Sequence, residues 1–331
     1  MRAVVLHEQM PIDENPLRME DVETPEPGNG EVRIKVGACG VCHTDLHEIE
    51  GDISLPTFPR IIGHQVVGTI DKIGGKVTKW QEGDRVGVPW LYSTCQECEF
   101  CKRGLENLCE NAKFTGKDVD GGFAEYMIGL EDYIYKIPED FPDLQAAPLL
   151  CAGIIGYRAL KLSGVKRGQN LGLYGFGSSA HVTIQIANHW GCNVYVFTRS
   201  DDHRRHAREL GAKWVGGSED DPGDTMHGSI NFTPAGKIVV DALRVLRKGG
   251  TLANAGIYMS DIPPFDYDML YGERTIRSVT NSTREDARDL LELAAEIPIH
   301  TSVEAYSLEK ANKALNMLKM SKIRGSAVLM L

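Results

Sequence analysis

Four cysteines lie close together in the segment CQECEFCKRGLENLC, at Cys95, Cys98, Cys101 and Cys109. The spacing C-x2-C-x2-C-x7-C lets four thiolates surround one zinc ion and leaves no coordination position for a substrate, so it predicts a structural zinc site. An iron–sulfur cluster is the alternative, but ferredoxin-type patterns use other spacings and a proline after the last cysteine. Four unrelated surface cysteines are disfavoured, because exposed free thiols are normally avoided.

A second group of reactive side chains stands in CGVCHTDLHEIEG, near the N-terminus. A redox pair of Cys39 and Cys42 is disfavoured because no thioredoxin-like βαβ pattern surrounds it, and Cys39 fits a small core residue. Half of a zinc finger and one part of an active site are the other possibilities. A catalytic zinc takes three protein ligands and keeps one position open, and the candidate ligands are Cys42, His64 in IIGHQVVG and Cys151 in PLLCAGIIGY.

A glycine-rich turn, GFGSSA, follows the β-like run NLGLY and opens a helix-like segment. Gly175, Gly177 and Ala180 match the G-x-G-x-x-G/A pattern in the strand-to-helix context that it requires, in which the backbone approaches a pyrophosphate at the helix N-terminus. A glycine-rich turn without a ligand is the alternative. The context favours a dinucleotide-binding loop.

The next β-like run, NVYVFTRS, ends without the carboxylate that would bind an adenosine ribose diol. Thr198 and Arg199 stand at its tip instead, and a guanidinium there suits a ribose 2′-phosphate. This predicts NADP as the preferred cofactor, with NAD as the alternative, because Asp201 or Asp202 could neutralise the pocket or reach the ribose.

The elements that must position these residues fall into two patterns. From Met1 to about Ala147, short β-like runs alternate with Gly/Pro turns, which predicts an antiparallel, barrel-like β domain. Strands and helices alternate afterwards, with a helix expected over 235–250, and this predicts a doubly wound parallel sheet. We expect an α/β protein with a catalytic domain over 1–150, completed by 284–331, and a dinucleotide-binding domain over 151–283.

The overall charge argues against nucleic-acid binding. The formal net charge is −10, whereas a grip on phosphate backbones needs a positive surface. The N-terminus lacks the features of a signal peptide, and no run of about 18 apolar residues occurs. We therefore expect no membrane or nucleic-acid partner, and a cytoplasmic location.

The chain resembles the zinc-dependent medium-chain alcohol dehydrogenases over essentially its whole length. The resemblance rests on five motifs in this order: CHTD, GHQVVG, the four-cysteine loop, a cysteine just before GIIGY, and GFGSSA. The resemblance is closest to the yeast-type and cinnamyl-alcohol-type branches. It implies a GroES-like β-rich catalytic domain, a Rossmann domain, and a catalytic zinc held by Cys42, His64 and Cys151.

The resemblance also implies roles for residues around the zinc. Thr44 matches the hydroxyl that bonds the substrate alcohol, His47 the histidine that passes the proton to water, and Asp45 the carboxylate that fixes the zinc-bound histidine. Trp90 matches a bulky residue of the substrate pocket. His43 and Arg324 match two contacts to the cofactor pyrophosphate, and the backbone at Gly256 and Ile257 matches the contacts to the nicotinamide.

Two positions depart from the family pattern. Gln65 follows the zinc-binding histidine where a glutamate is usual, so metal exchange or turnover is expected to differ. Ile155 stands four residues after Cys151, where a threonine commonly helps to hold the nicotinamide.

Together these features predict an alcohol dehydrogenase or aldehyde reductase with two zinc ions per chain, acting on primary alcohols and aldehydes with NADP or NAD. A polyol or amino-alcohol dehydrogenase on the same scaffold is one alternative, although Trp90 argues against bulky polyols. A non-catalytic, zinc-stabilised nucleotide-binding regulator is the other, and the presence of Thr44 and His47 disfavours it. We expect a homo-oligomer, either a dimer or a tetramer.

Overall fold

The computed structural model describes residues 1–297 and 299–331. The chain forms two compact units, Met1–Cys151 with Asn281–Leu331, and Ala152–Thr280. This division places Cys151 and residues 281–283 in the first unit, whereas the sequence suggested the second. Thr283 caps the helix that follows it in the first unit, which accounts for part of the difference.

The first unit is rich in β-structure, as the alternating runs predict. Its N-terminal part contains the strands β1 (Arg2–Leu6), β2 (Leu17–Asp21), β3 (Glu31–Val41), β4 (Arg60–Ile61), β5 (Gln65–Ile73), β6 (Arg85–Val88), β7 (Leu91–Ser93), β8 (Lys113–Phe114), β9 (Tyr126–Leu130) and β10 (Tyr135–Lys136). The helices of this part are α1 (His43–Glu50), α2 (Glu99–Lys102) and α3 (Asp143–Ala146), with short 3-10 turns at Ile12–Glu14, Glu106–Leu108 and Ala147–Leu150.

The second unit alternates helices and strands. It contains α4 (Ala152–Ser163), β11 (Asn170–Tyr174), α5 (Ser178–His189), β12 (Asn193–Phe197), α6 (Asp201–Glu209), β13 (Trp214–Gly216), β14 (Met226–Asn231), α7 (Lys237–Val245), β15 (Leu246–Asn254), a 3-10 turn at Tyr267–Met269 and β16 (Thr275–Ser278). The chain then returns to the first unit with α8 (Arg284–Glu296), β17 (Val303–Ser307), a 3-10 turn at Leu308–Lys310, α9 (Ala311–Lys319) and β18 (Ser326–Met330).

The main sheet of the first unit has the order β10-β6-β5-β3-β18-β17, and β9 also pairs with β3. Alternate residues of β3, such as Val32, Ile34 and Val36, are buried, which is the period-2 pattern of a strand with one face on the core. Strand β5 pairs antiparallel with β3, and Gly40 lies opposite Gln65. This pairing brings the residues just beyond the two strand ends close together.

The second unit contains a parallel sheet with the order β13-β12-β11-β14-β15-β16. Its pairs run parallel, as the alternation of strands and helices predicts. Its central strands carry buried side chains such as Leu171, Leu173 and Val196, as expected for a sheet covered on both faces. The mixed α/β architecture expected from the sequence is therefore confirmed.

The helix expected over 235–250 is wrong in its C-terminal part. It ends at Val245, and strand β15 begins at Leu246. Gly249 has a φ of 70°, which helical residues do not adopt, and Leu246 pairs with Met226 of β14. Strand pairing therefore outweighed the local helix pattern. No helix within the described part of the chain is both long enough and apolar enough to cross a membrane.

Candidate active site

Three of the predicted zinc ligands meet within the first unit. Cys42 follows the end of β3, His64 precedes the start of β5, and Cys151 follows the 3-10 turn Ala147–Leu150. Cys42 Sγ lies 3.4 Å from His64 Nε2 and 4.0 Å from Cys151 Sγ. The antiparallel pairing of β3 with β5 explains why two residues more than twenty positions apart become neighbours.

The spacing of these three atoms fits a zinc ion. Zinc–sulfur bonds of about 2.3 Å and zinc–nitrogen bonds of about 2.0–2.1 Å at a tetrahedral angle separate sulfur from nitrogen by about 3.6 Å and two sulfurs by about 3.8 Å. The observed separations of 3.4 Å and 4.0 Å agree closely. Two thiolates and an imidazole are also the donor set that zinc prefers, and three ligands leave one position for a substrate.

Asp45 fixes the orientation of two of these ligands. Its Oδ1 lies 3.0 Å from His64 Nδ1, and both side chains are fully buried. Its Oδ2 accepts a hydrogen bond from the Cys42 backbone N–H at 2.8 Å. Burial by itself would lower the pKa of His64, but the charges of Asp45 and Cys42 outweigh it and raise the pKa. A carboxylate at Nδ1 leaves Nε2 to face the metal.

Helix α1 carries the three residues predicted to bind the alcohol, relay its proton and contact the cofactor. Thr44 is buried, and its backbone N–H donates to Cys42 Sγ at 3.3 Å. His47, one turn later, is partly exposed, and its Nδ1 lies 2.7 Å from Asp52 Oδ2. His43 is exposed at the start of the helix. The helix thus carries a buried threonine next to the ligand Cys42 and a histidine nearer to solvent.

Sequence reasoning missed Glu48, which is also on α1 and is completely buried. Its Oε1 accepts a hydrogen bond from Trp90 Nε1 at 3.2 Å, and its Oε2 has no hydrogen-bond partner. A carboxyl oxygen of Glu48 lies within 4.8 Å of a carboxylate oxygen of Asp45 and of a ring nitrogen of His64. Burial is the main cause that raises the pKa of Glu48 to about 8. The helical spacing from Thr44 was the available signal, since residues four apart share a face.

Trp90 is held firmly beside this carboxyl group. Its ring stacks on Phe114, with centroids 4.2 Å apart and planes 25° apart, and lies 6.2 Å from the His64 ring. The structure therefore places the predicted pocket residue next to the three-ligand cluster.

Gln65, which replaces the usual glutamate, is buried, and its side chain packs against Gly40 on β3. Ile155 lies half-buried on α4 in the second unit.

The four cysteines of the loop form a second cluster, with sulfurs within 4.8 Å of one another. Cys95 Sγ lies 3.9 Å from Cys101 Sγ and 3.5 Å from Cys109 Sγ, close to the edge of about 3.8 Å expected for a zinc tetrahedron. The backbone N–H groups of Glu97 and Cys98 are the main cause that lowers the pKa of Cys95 to about 6. The loop is thus arranged to stabilise thiolates.

The glycine-rich turn of the second unit has the conformation that a dinucleotide loop needs. Gly175 follows β11 with a φ of 82°, a value that favours glycine, and a Cβ there would approach Thr233 to 2.8 Å. Gly177 is the N-cap residue of α5, and a Cβ on it would meet nothing within 4 Å. Ala180 is fully buried. The backbone before α5 is therefore open to a ligand.

The tip of β12 carries the residues predicted to select the cofactor. Thr198 is buried, and its carbonyl accepts a hydrogen bond from Arg204 Nε at 2.9 Å. Asp201 and Asp202 each pair with an arginine of α6, namely Arg204 and Arg205. Arg199 is exposed and forms no ion pair with any described residue.

The remaining predicted cofactor residues lie in different units. Gly256 follows β15 in the second unit, and its backbone N–H donates to Asn231 O at 3.2 Å, with Ile257 partly exposed beside it. Arg324 belongs to the first unit, where its backbone N–H donates to Glu304 Oε1 at 2.8 Å.

Comparison with known proteins places these features in a family context. Residues 28–139 match the model of the alcohol dehydrogenase GroES-like domain, and residues 180–296 match that of the zinc-binding dehydrogenase. A protein named "Probable alcohol dehydrogenase AdhA" from Mycobacterium tuberculosis is 42% identical over 97% of this chain and 94% of its own length. An alcohol dehydrogenase from Geobacillus stearothermophilus is 36% identical over 100% of this chain and 99% of its own length.

A solved structure shows the same architecture. A cinnamyl alcohol dehydrogenase from Sorghum bicolor is similar to this chain with a TM-score of 0.90 and 28% identity. The similarity covers 99% of this chain and 97% of the Sorghum chain.

Proposed function

Because the chain belongs to the zinc-dependent medium-chain alcohol dehydrogenases, we propose that Cys42, His64 and Cys151 hold the zinc ion of its active site. The enzyme is an NAD(P)-dependent oxidoreductase that interconverts alcohols and aldehydes. The single observation that carries the proposal is the spacing of the three ligand atoms beside the buried Asp45–His64 pair.

The residues around this cluster divide the chemical work. A zinc ion, when bound there, lowers the pKa of the substrate alcohol so that it loses its proton near neutral pH. Thr44 offers a hydroxyl that receives the alcohol's hydrogen bond, and His47 passes the proton to water because histidine changes its protonation near neutral pH. Asp52 holds the His47 ring through Nδ1.

The second unit supplies the binding site for the nicotinamide cofactor. The open backbone at Gly175 and Gly177 and the N-terminus of α5 are suited to the pyrophosphate. We propose His43 and Arg324 as further pyrophosphate contacts, and the backbone at Gly256 and Ile257 as the contact to the nicotinamide.

We propose a second, structural zinc ion on the loop cysteines Cys95, Cys98, Cys101 and Cys109, so that the chain holds two ions. An iron–sulfur cluster is the competing occupant of this loop. Metal analysis of the purified enzyme tests the proposal, and iron in place of zinc would contradict it. A homo-oligomer and a cytoplasmic location also stay predictions, which size measurement and cell fractionation would test.

NADP is proposed as the preferred cofactor. The acidic residues near the tip of β12 are paired with arginines, and Arg199 is left exposed, which favours a 2′-phosphate over a ribose diol. A charge-assisted hydrogen bond contributes roughly 1.5–3 kcal/mol, or about ten- to a hundredfold in kcat/KM for NADPH over NADH.

A kinetic comparison with both cofactors tests this preference. Thr198→Asp combined with Arg199→Gly should move the preference toward NADH, because a carboxylate at this tip bonds the ribose diol and repels a 2′-phosphate. Arg208→Ala, an exposed arginine later on α6, is the matched control and should keep the wild-type ratio. Equal or better use of NADH by the wild type would make Arg199 an ordinary surface charge.

A panel of alcohols and aldehydes, assayed with each cofactor, tests the function as a whole. Turnover of primary alcohols and aldehydes is expected. Binding of the cofactor without turnover of any member would instead support the regulator hypothesis. The polyol or amino-alcohol alternative differs from the simple alcohol dehydrogenase only in the substrates preferred within such a panel.

A further inference from the structure

Glu106 is a buried carboxylate inside the four-cysteine loop. It begins the 3-10 turn Glu106–Leu108, between Cys101 and Cys109, and it is 6% exposed. Its Oε1 accepts hydrogen bonds from the backbone N–H and from Nε of Arg284, at 3.1 Å and 3.2 Å. A carboxylate is costly to remove from water unless it is paired and hydrogen-bonded, and Arg284 supplies both interactions.

Arg284 is also connected to the other end of the loop. Its guanidinium lies over the ring of Tyr133, 5.0 Å from the centroid, which is within the range of a cation–π contact. Tyr133 is buried, and its hydroxyl accepts a hydrogen bond from the Thr94 backbone N–H at 3.1 Å and lies 2.8 Å from the Thr94 hydroxyl. Thr94 directly precedes Cys95. One arginine is therefore connected to both ends of the loop, directly at Glu106 and through Tyr133 at Thr94.

Arg284 is far from the loop in sequence. It is the first residue of α8, whose N-cap Thr283 forms a capping box with Asp286. The first unit consists of two stretches, Met1–Cys151 and Asn281–Leu331, and the whole second unit lies between them in the chain. The contacts of Arg284 thus join the start of the second stretch to a loop of the first.

The loop buries little apolar surface of its own. Helix α2 has no buried residue, and within residues 95–109, all of which the structure describes, the buried residues are Glu106, Asn107 and Cys109. Packing alone gives such a segment little stability, and metal binding supplies the folding free energy of metal-binding loops of this kind. Without zinc, the loop has little to hold Glu106 against Arg284.

We propose that the zinc-bound loop, through Glu106 and Arg284, fastens the start of α8 to the N-terminal stretch of the first unit. The proposal rests on the proposed structural zinc, because that ion keeps Glu106 in place. Coupling between two sites is reciprocal in binding free energy. Zinc in the loop therefore stabilises the start of α8, and Arg284 raises the zinc affinity of the loop by the same factor.

Amide hydrogen exchange tests the effect of zinc on α8. Cys101→Ser removes the loop zinc, and exchange over residues 284–296 should become about tenfold faster, because a hydrogen bond to a charged group is lost. Helix α5 of the second unit is the internal reference and should exchange at the wild-type rate. Unchanged exchange over 284–296 would overturn the proposal. Equal acceleration in α5 would overturn it too, since it would show general destabilisation.

The zinc affinity of the loop tests the reverse effect. Competition with a chelator measures it in the holoenzyme, and the loop ion is the one that Cys101→Ser lacks. Arg284→Met should lower the affinity about tenfold, whereas Glu106→Gln, which keeps an oxygen acceptor, should lower it less. Arg288→Met is the matched control, because Arg288 is an exposed arginine one turn later on α8, and it should keep the wild-type affinity.

The combination of Arg284→Met with Glu106→Gln shows whether the two residues act as one contact. The double variant should lose no more zinc affinity than Arg284→Met alone, since both changes break the same interaction. Losses that simply add would mean that the residues act independently, and would contradict the proposal.

The outcomes separate this inference from the structural zinc. A wild-type loop that binds no zinc would overturn both. Zinc bound with wild-type affinity in Arg284→Met would leave the structural zinc in place and overturn the role of Arg284. Equal losses of affinity at both metal clusters would also overturn that role, because they reflect general destabilisation. If Arg284→Met does not fold, Glu106→Gln and the exchange of α8 in Cys101→Ser still decide.

Discussion

The two clusters of the first unit that we propose as zinc sites are built in opposite ways. The four loop cysteines lie between positions 95 and 109, so a short segment holds the whole cluster. The three other ligands, Cys42, His64 and Cys151, are separated by up to 109 positions. Pairing of β3 with β5 brings Cys42 and His64 together, and packing of the 3-10 turn Ala147–Leu150 against these strands adds Cys151. One cluster is a property of a loop, and the other is a property of the fold.

The difference extends to the groups that support each cluster. The backbone N–H groups of Cys98 and Cys101 donate to the sulfurs of the cysteines three positions earlier, so local turns organise the loop. At the other cluster a buried carboxylate, Asp45, joins the Cys42 backbone to His64. The loop is suited to holding the chain together, whereas the buried cluster keeps a position open for chemistry.

Cys151→Ser gives the largest expected effect and tests the distant cluster. Turnover should fall to background, and the zinc content should drop from about two ions per chain to about one, because four separate cysteines hold the other ion. Metal analysis and a steady-state assay measure both quantities. Cys192→Ala, at a buried cysteine outside the two clusters, should keep two ions. Two ions with normal turnover in Cys151→Ser would remove Cys151 from the site.

His47→Gln sharpens the comparison, since only the open cluster needs a path for protons. Alcohol oxidation should slow by about 10- to 100-fold below neutral pH, somewhat less than the roughly 10²–10⁴-fold typical of a positioned acid or base. The effect should shrink above neutral pH, where hydroxide can take the proton. The pH dependence of kcat is the measurement, and a profile of wild-type shape would exclude His47 from the relay.

Asp45→Asn tests whether the buried carboxylate stabilises the distant cluster. Zinc affinity at that cluster should fall by roughly 10- to 100-fold, which is usual for loss of a group that orients a metal-bound histidine. Competition with a chelator measures the affinity, and zinc in the four-cysteine loop serves as the internal control. Loss of affinity at both clusters would point to general destabilisation instead.

Cys101→Ser tests the four-cysteine loop, and it should have the smallest effect on turnover. One zinc ion should be lost, and Tm should fall by about 5 °C or more, because metal binding contributes to folding. At low temperature kcat should change by less than about tenfold. A loss of turnover as complete as in Cys151→Ser would show that the loop takes part in catalysis.

The structure also shows where sequence patterns fail. The pattern over 235–250 is helical in local terms, yet strand β15 takes its last five residues, because Leu246 pairs with Met226 of β14 and Gly249 has a positive φ that a helix does not adopt. Glu48 was overlooked for a similar reason. A glutamate on a short helix is normally a solvated surface residue. Only the structure shows that Glu48 is buried, with one oxygen bonded to Trp90 and the other without a hydrogen-bond partner.

The sequence alone determined the family, the four-cysteine loop and the dinucleotide turn, because each depends on residues close in the chain whose spacing has a direct physical meaning. Tertiary structure decided the separations among Cys42, His64 and Cys151, the pairing of Asp45 with His64, and the burial of Glu48. These features depend on strand register and on the packing of distant side chains. Such packing sets distances and burial that no local spacing encodes.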